Sequence, residues 1–280
     1  MVISSQNNTD NDLIDLPLFD WVLCLSDAIG LFNPKLVSHN ERVAYIAHSI
    51  AESLGLSILD QNKAMVSGAL HDIGGIALTG TDRDKLLEYD AVHTYKHCSL
   101  GYFLLLNYGP FQSFSDIVLY HHTPWSDQKA DKALNKKVPY MSNVIHLADR
   151  VDVLMQSEED ILSRVDHICK KITEGSDTLF APELVDAFLK CSQRESFWLD
   201  IISPRLSEDL REKISGEDRE LDLDAIEDIA ILFSKVIDFR SQYTLTHSIG
   251  VATCAEMIGK FTNMTNDECK MLRIAGLLHD

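Results

Sequence analysis

Apolar residues recur every three to four positions through nearly the whole chain, which is the period of helices that bury one face. Leu18, Val22, Leu25, Ile29 and Phe32 mark a first helix, which Asn33-Pro34 ends. Ser38 stands where it can cap a helix carrying Val43, Ile46, Ala47, Ile50 and Leu54, with Gly55 just past its end. Asp60 caps the next, which runs through Ala64 and Gly68 to His71-Asp72 before Gly74-Gly75 breaks it. A helix over 91–107 stops before Gly109-Pro110, and a short one over 113–122 finishes on His121-His122. The stretch 123–137, TPWSDQKADKALNKK, has no apolar period and reads as a loop. Helices resume from Pro139 to Met155 and near 158–173, 182–192, 204–214, 223–238, 243–261 and 265–280. With no alternating strand pattern, the fold class is all-α.

The pattern also repeats itself. His39 and the pair His71-Asp72 lie 32 residues apart, and His247 and His279-Asp280 restore that spacing 208 residues later. Between them Ser38/Thr246, Val43/Val251, Ala44/Ala252, Ala47/Ala255, Ile50/Ile258, Asp60/Glu268, Gly68/Gly276 and Leu70/Leu278 match or nearly match, without a gap. An internal repeat of this kind marks a duplicated unit. The expected organisation is a flexible N-terminus over 1–17, a first domain over 18–156, a helical connector over 157–222, and the opening of a second domain over 223–280. That second copy stops in mid-motif at Asp280, so a longer protein is expected.

The chemistry-bearing residues sit on helices or at helix ends, in the order His39, His71, Asp72, His97, His121, His122 and Asp149. Neutral imidazole suits borderline divalent metals, and a carboxylate can bridge two ions. Five histidines and two aspartates suffice for two ions that share one aspartate. Two such ions clamp a phosphoryl group and lower the pKa of a bound water. His93 competes with His97 from one turn away. His146 and Asp152 flank Asp149 by a turn each, where they could hold a ligand in place or serve structure. His48 and His167 read as exposed. Trp125, after the double histidine, could stack on a base or pack in the core.

The stretches SHNERVAYIAHSIAESLGL, GALHDIGG, HCSLGYFLL, VLYHHTPW and IHLADRVDVL, in that order over about 36–155, resemble the HD superfamily of metal-dependent phosphohydrolases. The likeness is to the HD-GYP branch, associated with cyclic dinucleotide phosphodiesterases. It implies a helical-bundle HD domain in which His39, His71, Asp72 and Asp149 hold one metal, His97, His121 and His122 hold the other, and Asp72 bridges them. His71 and Asp72 would then serve catalysis through metal-activated water. It implies two divalent ions, Fe or Mn foremost, with Ni, Zn or Mg as alternatives. His247, His279 and Asp280 would be the first ligands of a second, incomplete HD domain. The chain departs from the family at Gly75, where a phosphate-binding Lys is usual, at Thr123-Pro124-Trp125, which replaces the G-Y-P signature, and at Lys35, where some members place a Glu. Lys96 and Arg150 are the candidates to take over the phosphate contact. The expected function is phosphodiester hydrolysis, of a cyclic dinucleotide such as cyclic di-GMP in the full-length protein. The alternative is a degenerate metal- or nucleotide-binding HD domain that regulates a C-terminal HD-GYP domain.

Composition narrows the partners. In 280 residues the net charge is −18, which disfavours long nucleic acid because its binding depends on Lys and Arg neutralising phosphates. A small phosphoester or cyclic dinucleotide stays compatible, since bound metal supplies positive charge locally. Much of the acidity falls in 157–228 and reads as solvated helix surface. No apolar run approaches the roughly 18 residues that span a bilayer. The polar, acidic N-terminus resembles neither a signal nor a transit peptide. Six scattered cysteines without a C-x-x-C pair read as reduced thiols, which points to the cytoplasm. Nothing in the sequence settles assembly, which leaves room for a homodimer.

Overall fold

Two helices that touch backbone to backbone set up the site. They are α2 (His39–Ser53) and α3 (Ile58–Leu70), in a computed structural model that describes residues 17–30, 38–78, 95–133, 138–156, 160–214, 221–238 and 246–279. A Cβ on Gly68 would lie 2.7 Å from the Ala44 Cα, so only glycine allows this approach. The turn between them is set by Gly55, at φ 70°, whose N–H and that of Leu56 return to the carbonyls of Glu52 and Ala51. This is the paired-bond helix ending that favours glycine.

Two expected caps are corrected. The cap of α3 is Ser57, whose hydroxyl accepts from the Asp60 N–H, while Asp60 lies inside the first turn. Ser38 has a left-handed backbone, φ 63°, and its side chain makes no capping bond. The start of α2 is instead enclosed, with His39 and Asn40 fully buried.

α1 (Leu18–Gly30) packs on α3. After α3, a 3-10 turn (Ile73–Ala77) presses against α4 (Tyr95–Leu106) so closely that a Cβ on Gly74 would fall 2.0 Å from the His97 carbonyl oxygen. The expected start of α4 at 91 lies outside the described residues. A second 3-10 turn (Gln112–Phe114) and the short α5 (Ser115–Leu119) then deliver His121-His122.

The expected loop over 123–137 is wrong in its first part, which is α6 (Trp125–Ala133). Mostly polar, with Trp125 its one large apolar residue, it has no periodicity to read. It is pinned from a distance by the Trp125 and Ser126 N–H groups, which donate to the carbonyls of Leu179 and Thr178 at 3.0 and 2.9 Å. α7 (Tyr140–Met155) is the central helix, buried on every side from Met141 to Val153.

α8 (Ile161–Glu174), α9 (Pro182–Ser192), α10 (Glu195–Ile201), α11 (Leu206–Lys213) and α12 (Leu223–Asp238) follow. One hydrophobic core runs from Leu18 to Val236. The described part of 157–222, expected as a connector, therefore shares the core of the first domain. Phe180, Phe188, Phe197 and Trp198 are its large side chains there, and each contributes about 1.5–3 kcal/mol by burial. α12 joins the two repeats. Phe233 meets Trp21 of α1 edge-on at 5.8 Å, while Glu227 and Asp224 pair with Arg273 and Lys270.

The last helices, α13 (His247–Phe261) and α14 (Asn266–Leu277), pair as α2 and α3 do. A Cβ on Gly276 would lie 2.6 Å from the Ala252 Cα, the same contact 208 residues later. Their surroundings differ: Ile258 is 63% exposed, whereas its counterpart Ile50 is 0% exposed. The fold class is all-α. Among the described residues the one β-type contact is an isolated bridge between Ser176 and Phe180, and no helix is long and apolar enough to cross a membrane.

Candidate metal centre

Seven side chains from five places in the chain meet between α2, α3, α4, α5 and α7. His39 opens α2, His71 closes α3, Asp72 leads into the 3-10 turn, His97 lies in the first turn of α4, His121 and His122 follow α5, and Asp149 faces inward from the middle of α7. His39, His71, Asp72, His97, His121 and Asp149 are at most 2% exposed.

The carboxylate of Asp72 stands at the middle, and its two oxygens face different histidines. Oδ2 lies 3.5 Å from His71 Nε2 and 3.7 Å from His39 Nε2. Oδ1 lies 3.2 Å from His97 Nε2 and 3.8 Å from His121 Nε2. Asp149 Oδ1 closes the first group at 3.6 Å from His39 Nε2, and its Oδ2 lies 4.0 Å from His122 Nδ1.

The tautomers explain what the cluster is built for. His71 Nδ1 donates to the Gly68 carbonyl at 2.8 Å, and His121 Nδ1 donates to the Val118 carbonyl at 2.6 Å. His39 Nδ1 points at Asp152 Oδ2, 2.6 Å away. In each neutral ring the proton sits on Nδ1 and Nε2 carries a lone pair. Yet His39 Nε2 and His71 Nε2 are 3.3 Å apart, and His97 Nε2 and His121 Nε2 are 3.1 Å apart. His71 and His121 therefore turn an Nε2 lone pair into the cluster, where a cation could be shared with the neighbouring ring. Asp72 Oδ1 is also buried without a hydrogen-bond partner. The donor set therefore fits divalent metal, with neutral imidazoles and carboxylates as ligands.

Burial keeps the imidazoles neutral. It pushes His71 and His121 down to about 4 and His97 to about 3, and it lowers His122 well below its ordinary value. His39 goes the other way: burial alone would lower it, but Asp152, Asp149 and Asp72 together raise it. Burial would likewise raise Asp149, but the Arg150 guanidinium, 2.7 Å from Oδ2, and the neighbouring histidines hold it in its charged form.

Several readings of the sequence change here. Arg150, expected as a solvated or substrate-facing cation, is 4% exposed because α7 is enclosed all round, and it is bonded to Asp149. His48 is buried rather than exposed, whereas His167 is exposed as expected. Lys96 is exposed on the first turn of α4. His146 is buried beside the cluster, its ring 5.8 Å from His122, and burial lowers it to about 3. Trp125 packs against the core and meets Tyr140 edge-on at 6.1 Å. His93, Asp280 and Lys35 lie outside the described residues.

Two residues were missed. Arg42 makes a bidentate pair with Asp152, from Nε to Oδ1 and from Nη2 to Oδ2. It lies three residues after His39, on the same helical face, which was the available signal. Cys98 is 1% exposed, with Sγ 3.6 Å from His97 Nε2, and burial pushes its thiol up. Its ligand atom groups with those of His97, His121 and His122, all within 4.8 Å of one another.

In the second repeat His247 Nε2 and His279 Nε2 are 3.1 Å apart, and His279 Nδ1 donates to the Gly276 carbonyl at 2.9 Å. This is the His39–His71–Gly68 arrangement again, on an exposed surface.

Residues 36–160 match the HD domain family. The chain is 29% identical over 267 residues to the 3'3'-cGAMP-specific phosphodiesterase 1 of Vibrio cholerae, covering 92% of this chain and 61% of that protein. It is 26% identical over 163 residues to the cyclic di-GMP phosphodiesterase of Thermotoga maritima, covering 54% of this chain and 43% of that one. The chain thus spans less than two thirds of the length of either relative. The crystal structure of a cyclic GMP-AMP specific phosphodiesterase from V. cholerae shares the fold, with a TM-score of 0.68 at 19% identity, over 94% of this chain and 70% of that one. Over residues 36–160 the chain is thus similar to the HD domain family, and over more of its length to phosphodiesterases named for cyclic dinucleotides.

Proposed function

We propose that the chain carries a two-metal phosphodiesterase centre of HD-GYP type acting on a cyclic dinucleotide. The observation that carries this reading is the convergence of four imidazole Nε2 atoms on the two oxygens of one buried aspartate. His39, His71 and Asp149 would hold one ion, His97, His121 and His122 the other, and Asp72 would join them. Such a pair of divalent ions lowers the pKa of bound water and stabilises charge on a phosphoryl group. The remaining work falls to the protein. Burial keeps His71, His97, His121 and His122 uncharged, Asp152 and Arg42 orient His39, and Arg150 keeps Asp149 ionised. Water adds across one P–O ester bond and opens the ring, with no side-chain nucleophile required. Lys96, exposed next to His97 in sequence, would be the candidate cation for a substrate phosphate.

A second reading is favoured by Gly75, which leaves the family's phosphate-binding Lys position empty of charge, and by the repeated histidine pair at 247 and 279. In that reading the first centre holds metal or nucleotide and regulates a second HD domain that begins near 223.

The test is cleavage of 3'3'-cGAMP and cyclic di-GMP by the 280-residue chain with Mn²⁺ or Fe²⁺, beside the Asp72→Ala variant. Asp72→Ala removes the shared anion, so metal content and cleavage should fall together. Full metal occupancy without cleavage of either compound would end the catalytic reading of this domain and leave the regulatory one.

A further inference from the structure

We propose that Cys98 is a sulfur ligand of the ion held by His97, His121 and His122, so that this half of the centre selects zinc, iron or cobalt over magnesium. The inference deepens the two-metal reading and rests on it. Neighbouring residues on a helix point about 100° apart, so His97 and Cys98 can both face inward only where the helix is enclosed on two sides. Gly74 brings the 3-10 turn against the His97 carbonyl and the Gly101 nitrogen, Gly101 also lies under Val118 of α5, 2.7 Å from where its Cβ would be, and the adjacent Cys98 is buried as well. Cys98 is 1% exposed, and its Sγ lies 3.6 Å from the atom by which His97 would bind metal. All four donor atoms fall within 4.8 Å of one another, a spread that one ion can close. Asp72 Oδ1, buried and without a hydrogen-bond partner, is aimed at the same point and lies 3.2 Å from His97 Nε2.

The two halves then differ in chemistry. The half formed by His39, His71, Asp72 and Asp149 offers nitrogen and oxygen, which suits manganese, iron or magnesium. The half with Cys98 offers nitrogen and sulfur, and thiolate favours the softer ions. As the sulfur–metal bond forms, the thiol proton leaves to solvent.

The experiment loads the metal-free 280-residue chain with Co²⁺ and records its absorption. The background is the Cys24→Ser/Cys254→Ser double variant, since those two thiols are exposed and could capture metal adventitiously. The expected spectrum has a sulfur-to-cobalt charge-transfer band in the near ultraviolet, which disappears on adding Cys98→Ser while the visible d–d bands remain. Zinc X-ray absorption of the same background, which needs no change at Cys98, should show one sulfur for every two zinc ions at about 2.3 Å. A charge-transfer band that survives Cys98→Ser, or zinc with only nitrogen and oxygen neighbours, overturns the role of Cys98 and leaves the metal centre intact. Failure to bind cobalt at all overturns the two-metal reading and this inference with it.

Discussion

Asp152→Asn isolates the carboxylate that holds His39 in place. Asp152 Oδ2 lies 2.6 Å from His39 Nδ1 and 3.1 Å from Arg42 Nη2, and the aspartate is 0% exposed. Asparagine keeps the shape but removes the charge, and it replaces one of the two accepting oxygens with a donor. Whichever way the amide turns, its NH₂ faces either the His39 ring N–H or the Arg42 guanidinium. Losing a hydrogen bond to a charged group costs about 1.5–3 kcal/mol. Groups that orient a metal-binding histidine typically change metal affinity by about 10–100-fold. The two magnitudes agree, because a tenfold change corresponds to about 1.4 kcal/mol. The assay is Zn²⁺ or Co²⁺ titration against a competing chelator, well below the melting temperature of each variant. Metal affinity should drop by at least about tenfold while the helical circular-dichroism signal stays that of the parent. Unchanged affinity in a folded Asp152→Asn variant would refute the idea that this carboxylate positions His39 for metal.

Further outcomes follow from the same geometry. Gly74→Ala puts a Cβ 2.0 Å from the His97 carbonyl, so the 3-10 turn and α4 must part; metal affinity should fall by about 10–100-fold, and chelator competition checks this. Gly68→Ala meets the Ala44 backbone at 2.7 Å and should destabilise the protein by about 1–3 kcal/mol in urea denaturation. The metal-free protein should lose stability as pH falls from about 6.5 to about 3, because the unfolded chain takes up protons that buried His71, His97, His121 and His146 refuse. The raised pKa of His39 acts in the opposite sense: its contribution is present below about 6.5 and lost as pH rises through its folded value. A flat denaturation midpoint between about pH 7 and about pH 4 would contradict the neutral, buried histidines.

Helices with one apolar face were legible at once. α9 and α12 fall on 182–192 and 223–238, as the periodicity expects. Helices that are buried all round, or composed mostly of polar residues, were not legible from periodicity. α6 is held by backbone bonds to the carbonyls of Thr178 and Leu179, which no local pattern reveals. α10 was missed because seven residues are too few for a period, although Phe197, Trp198 and Ile201 are buried. In α7, fully enclosed, Arg150 looked like surface because charged residues usually are, whereas it serves Asp149. At the site, the spacing of His39, His71-Asp72, His97, His121-His122 and Asp149 carried the information. Arg42 and Cys98 were harder to see, because a single arginine or thiol beside a histidine carries no pattern of its own. Their meaning comes from the helices that face them.

The most direct measurement is anomalous diffraction from crystals of the 280-residue chain grown with Mn²⁺ or Zn²⁺. Two peaks about 3.5–4 Å apart should flank the Asp72 carboxylate, one bounded by His39, His71 and Asp149 and the other by His97, His121 and His122. A centre without anomalous density, or metal bound elsewhere with these histidines turned away from one another, would contradict the account.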